Sequence, residues 1–257
     1  MKQRLICFCL SLLCLSLLLT GCRKKTLELT YYPESGNYYD SKNDVTYLRA
    51  ELYYEALSLR RDLPVAHIPN KKMDDTILYQ IEGAEPTEML ANEYFEIYYT
   101  QDMTLPTLAE MKVDRIYVGS VVEGAIMDLA VATIEDAEDI DAVISCYQSG
   151  PFFHEENRFD EGTVTDAYRL RFTSLQHPAF CYRLSYYQYA EDVLIYEQIE
   201  SEELHTPTYS GVGMHFMEHS GQLYAVYNFG KNIVYDHVTG NCYAAGDTIA
   251  KHLSTTD

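Results

Sequence analysis

Tyr168-Arg169-Leu170-Arg171-Phe172-Thr173 alternates apolar and polar side chains without a break, and Phe180-Cys181-Tyr182-Arg183-Leu184-Ser185-Tyr186 repeats the rhythm. A period of two is the signature of a strand with one face buried. The next stretches keep it: Val193 to Glu197, Val212 to Met217, Leu223 to Phe229, Asn232 to His237 and Asn241 to Ala244. Ala190-Glu191-Asp192, Ser220-Gly221, Gly230-Lys231-Asn232 and Thr239-Gly240 separate them, and such short connections suit antiparallel hairpins. The C-terminal half therefore predicts an antiparallel β-meander.

Upstream lies the clearest helix, Ala137 to Tyr147, with Ile140, Val143, Ile144 and Tyr147 on one face. Asp136 is its predicted N-cap, and Gly150-Pro151 ends it. The acidic run Glu135 to Asp141 lacks the glycine of a calcium loop, and helix capping accounts for it. Thr76 to Ile81, Tyr94 to Tyr99, Asp114 to Val118 and Ala125 to Thr133 read as strands. Pro86 and Pro106 are placed to open short helices through Ala91 and Met111, and a closing helix is expected near Asp247 to Leu253. The fold class is α+β: a meander-rich C-terminal half with one or two packing helices, and no regular βαβ alternation. The expected division is a segment 1–21, a tether 22–44, an N-terminal α+β region 45–115 and a C-terminal α+β region 116–257.

The first residues carry an address. Lys2 and Arg4 precede the apolar run Leu5 to Leu19. A helix of that length spans only about 22 Å, against the roughly 20 residues a membrane span needs. It fits a signal-peptide core. Leu19-Thr20-Gly21-Cys22 resembles the lipobox of bacterial lipoproteins. That resemblance implies diacylglycerol on the Cys22 thiol, cleavage after Gly21, and a protein held by lipid on the extracytoplasmic face of a cell membrane. Two acyl chains anchor stably where one does not, and Arg23-Lys24-Lys25 adds attraction to an anionic surface.

Composition narrows the partners. The formal charge is −20; removing residues 1–21 takes away Lys2 and Arg4 and no acid, which makes it −22. Such a surface repels phosphate backbones and excludes nucleic acid as a partner. Hydrophobic residues make up 47%, enough to exclude a disordered chain. The 24 tyrosines, with no tryptophan, suit half-buried sheet faces. An extracellular sugar-binding surface also uses tyrosine. Beyond Cys22, the domain keeps Cys146, Cys181 and Cys242. These allow one disulfide plus a buried thiol, or three buried thiols.

One stretch matches a catalytic pattern. His215-Phe216-Met217-Glu218-His219 is H-x-x-E-H and resembles the inverted zinc metalloproteases. The resemblance implies His215 and His219 as ligands and Glu218 as general base, all on a helix. The flanks Gly211-Val212-Gly213 and Ser220-Gly221 oppose a helix. As a strand, the segment sets its histidines about 13 Å apart, and no glutamate follows Glu218 as a third ligand. His154 with Glu155 and Glu156 reads as a solvated loop. No catalytic, metal or cofactor residue is assigned. The expected role is non-enzymatic: binding an envelope component, protein or small ligand. The alternatives are a lipid-anchored hydrolase and the solute-binding component of a transporter.

Overall fold

The computed structural model describes residues 26–68, 76–120, 129–155 and 162–253. The expected signal peptide 1–21, with Gly21, and the expected lipid site Cys22 lie outside the described residues. So do Glu156 and the first residues of the strand expected from Ala125. The fold is a β-rich α+β arrangement of antiparallel sheets with two short helices among the described residues.

The first sheet takes β1 (Leu29–Tyr32), β2 (Asn37–Asp40), β3 (Val45–Arg49), β5 (Leu59–Ile68), β6 (Thr76–Ile81), β7 (Met89–Asn92) and β8 (Ile97–Thr100), in spatial order 1-2-3-8-7-6-5. The short β4 (Tyr54–Ala56) leaves it and pairs with the second sheet. That sheet is built from β9 (Arg115–Ser120), β10 (Leu129–Ile134), β11 (Phe152–His154), β12 (Val164–Thr173), β13 (Phe180–Tyr189), β17 (Asn232–Asp236) and β18 (Asn241–Ala244), in order 10-9-12-13-17-18-11. A third sheet holds β14 (Leu194–Ile199), β15 (Gly213–His219) and β16 (Gln222–Asn228), with β16 in the middle.

The alternation read from 168–186 sets the two faces of the second sheet. Ile116, Val118, Leu170, Phe172, Tyr182, Leu184, Tyr186 and Val234 are buried on one of them. They pack with Ile140 and Val143 of α1 (Ala137–Ser149) and with Ile81, Met89, Ala91 and Ile97 of the first sheet. The first two sheets therefore share one core. Burying each large apolar side chain contributes about 1.5–3 kcal/mol. Tyr53 and Tyr182 stack at 4.8 Å against this core, and in a separate cluster of the first sheet Tyr38 and Tyr98 meet edge-on at 4.8 Å. The Ser220-Gly221 turn has φ of +52° and +77°, the all-positive geometry that twists a two-residue hairpin correctly.

Asp136 caps α1 as expected, its side chain accepting from the N–H groups of Glu138 and Asp139. Asp136→Ala is expected to cost about 1 kcal/mol, because two helix-end donors lose their acceptor. Thermal unfolding by circular dichroism would then fall by roughly 2–4 °C. The other acids of that run have partners too. Glu135 pairs with Arg115, and Asp139 meets Lys251 and His252 of α2 (Ala250–Leu253). Those hydrogen bonds hold Asp139 below the usual carboxylate range. The closing helix is thus shorter than the 247–253 expected.

Three expectations are corrected. Residues 29–40, expected within the tether, form the β1–β2 hairpin. The helix from Pro86 does not form. Glu88 and Met89 N–H close one turn on Glu85 O, and then Met89–Asn92, buried throughout, runs between β6 and β8. The helix from Pro106 stops after one turn. Glu110 caps it by accepting from Thr107 N–H and Oγ1, and Lys112, at φ +49°, breaks it. Residues 45–115 hold no helix among those described.

Candidate ligand cleft

His215-Phe216-Met217-Glu218-His219 lies on β15, where His215 faces Val226 and His219 faces Gln222 across the ladder. On a strand the two imidazoles stand about 13 Å apart, too far for one ion. Among the described residues no three His, Cys, Asp or Glu side chains gather around a common point. The zinc form of the hydrolase reading therefore lacks its geometry. After incubation with excess zinc and desalting, the protein is expected to keep less than about 0.1 zinc per chain by mass spectrometry. His154 sits on β11 beside Phe152, away from those histidines in the sheet order. Cys146, Cys181 and Cys242 are free thiols, and burial pushes the first two up to about 12.

A different constellation forms where the first two sheets meet. After Arg49 the chain bends away from β3. Ala50 N–H donates to Ile97 O and Ala56 N–H to Phe95 O, so residues 50–56 run alongside the start of β8. The facing wall is the turn Asn92–Glu96. Asn92 Oδ1 accepts from Tyr94 N–H and Glu96 N–H, both at 3.0 Å, and its amide donates to Glu96 Oε2 at 2.7 Å. Phe95 in this turn has φ +66°, a costly conformation for a bulky residue. Its ring is buried in the shared core, which holds it there. Such strain is about 1–3 kcal/mol and persists only where the surroundings enforce it.

Between these walls opens a cleft of about 140 Å³ that includes Arg49, Glu51, Leu52, Tyr94, Glu96 and Arg183 in its lining. Glu55 also lines it and is 7% exposed. Two arginine–carboxylate pairs converge on it. Arg49 binds Glu96 at 2.5 Å, and Glu96's charge raises the Arg49 pKa. Glu55 accepts from Arg171 Nη2 at 2.8 Å and lies 3.5 Å from Arg183 Nη1. Tyr94 and Leu52 stand at the cleft 64% and 49% exposed.

The polar face of the second sheet continues from Arg183. Register sets Arg171 opposite both Arg183 and Tyr117, Arg169 opposite Ser185, and Ser185 opposite Tyr235. Ser185 Oγ and His237 Nε2 are 2.6 Å apart, a distance suited to a nucleophile and its base. Desolvation, then Arg183, lowers the His237 pKa. No carboxylate among the described residues hydrogen-bonds that imidazole to orient it. The pair therefore lacks the third member such chemistry uses.

The sequence gives no direct sign of this cleft. Its one local signal is Asn92, whose side chain is suited to bracing a tight turn. Arg49 and Glu96 are 47 positions apart, and Glu55 and Arg171 are 116 apart. Comparison with protein-family models, curated proteins and solved structures finds no match for this chain.

Proposed function

We propose that this chain is a lipoprotein, anchored through lipid on Cys22 at the extracytoplasmic face of a cell membrane, and that its domain binds a ligand in the Arg49–Glu96 cleft without turning it over. The observation that carries the binding reading is the convergence of two arginine–glutamate pairs and an exposed tyrosine on one opening. Few polar groups fixed in a concave site are what small-ligand recognition needs. Leu19-Thr20-Gly21-Cys22 supports the address. Leu29, the first residue of β1, follows Cys22 by seven positions. An extended linker of that length reaches roughly 25 Å at most. The domain would then work close to the membrane surface.

Mass spectrometry of protein from its native host tests the address. The expected N-terminus is Cys22 bearing diacylglycerol, and an unmodified Met1 terminus would overturn it. The non-enzymatic role is tested by recovering a ligand after incubation with the protein. Recovery of cleaved or rearranged ligand would replace binding by catalysis.

A further inference from the structure

We propose that the cleft recognises a neutral, hydroxyl-rich ring, one sugar unit of a glycan. The proposal rests on the binding reading above and names its ligand class.

Charge decides first. The lining holds two cations, Arg49 and Arg183, and three acids, Glu51, Glu55 and Glu96. Each of the two arginines already faces a carboxylate. Arg171 also pairs with Glu55, so three arginines balance three glutamates, and a carboxylate or phosphate ligand would compete with those glutamates inside a chain of charge −20. An ammonium ligand would meet Arg49 and Arg183. A neutral polyol escapes both penalties. Beside an arginine–glutamate pair it finds donors and acceptors next to one another, as neighbouring hydroxyl groups require.

Shape and surface agree. A cleft of 140 Å³ lies below the roughly 300 Å³ at which drug-sized pockets begin, so it seats one small unit rather than a long segment. The C–H face of a pyranose is apolar and stacks on aromatic rings. Tyr94, 64% exposed, offers such a ring, and Leu52 offers apolar surface alongside. The backbone that carries Tyr94 is preorganised: Asn92 holds its N–H, and buried Phe95 anchors the turn from the other side. Preorganisation lowers the entropy lost on binding.

The test is calorimetric titration of the full chain, with proton NMR saturation transfer as a second readout. The neutral probes are an N-acetylglucosamine trimer and maltotriose. The charged probes are a glucosamine trimer and a galacturonic acid trimer, and single amino acids and dipeptides form a non-sugar arm. At least one neutral trimer is expected to bind with a millimolar or tighter Kd, about tenfold tighter than either charged trimer. Tyr94→Ala is expected to weaken it about tenfold with an unchanged melting temperature, while Tyr94→Phe keeps it. Preference for a charged trimer, or neutral binding indifferent to Tyr94→Ala, overturns the sugar assignment. An amino acid or dipeptide bound in a Tyr94-dependent way overturns the assignment and leaves the binding reading standing. No binding by any probe at about 10 mM overturns both.

Discussion

Asp236→Ala is expected to lower the melting temperature by roughly 6–20 °C, from a loss of about 3–5 kcal/mol. Asp236 ends β17 and is 1% exposed. Its Oδ2 accepts from Tyr53 at 2.8 Å and from Tyr147 at 3.2 Å. Its Oδ1 accepts from the N–H groups of Val238 and Thr239. One carboxylate therefore ties the segment before β4, helix α1 and the β17–β18 turn together. Tyr147 passes the network on to Tyr182 at 3.0 Å. Burial raises the pKa of Tyr53, Tyr147 and Tyr182, which keeps their hydroxyls protonated as donors. Alanine would leave several buried donors without an acceptor, each costing about 1–3 kcal/mol. Asp236→Asn keeps the shape and one accepting oxygen, so its loss is expected to be smaller. It also supplies the measurement if the alanine variant does not fold. A drop under about 2 °C for both variants would show that the network does not hold these elements.

Where the sequence was legible, one face of an element repeated. Tyr168 to Thr173 and Phe180 to Tyr186 alternate over long stretches, and both are strands of the central sheet. Asp136 is readable as a cap because the N–H donors it accepts from lie two and three residues on. Met89-Leu90-Ala91 reads as helix after Pro86 because all its side chains are buried, which removes the period that tells strand from helix. Pro86 stands inside one turn and Pro106 just before another, as their chemistry predicts, but the first gives way to a buried strand and the second breaks at Lys112. The three residues of β4 are too few to show any period. The cleft depends on this strand and on ion pairs between distant positions, so beyond Asn92 local pattern is silent there.

Glu55→Ala carries the second large expected effect, a loss of about 3–5 kcal/mol, or roughly 6–20 °C in melting temperature. β4 crosses from the N-terminal region to pair with the second sheet, placing Glu55 opposite Cys181 on β13. From there its carboxylate meets Arg171 of β12 and Arg183 of β13, whose side chains are only 23% and 26% exposed. Removing it leaves two half-buried guanidinium groups without this counter-charge, and that desolvation cost dominates the loss. The reverse design separates charge from packing. Replacing the triad together, by Glu55→Leu, Arg171→Met and Arg183→Met, is expected to hold stability near that of the parent, since apolar isosteres often match a buried ion group. That triple variant would also take the polar groups of Glu55 and Arg183 out of the cleft lining while keeping the fold, so ligand binding should fall where melting does not. Loss of stability in the triple variant as large as in Glu55→Ala would mean that β4 is held by something other than this charge pairing.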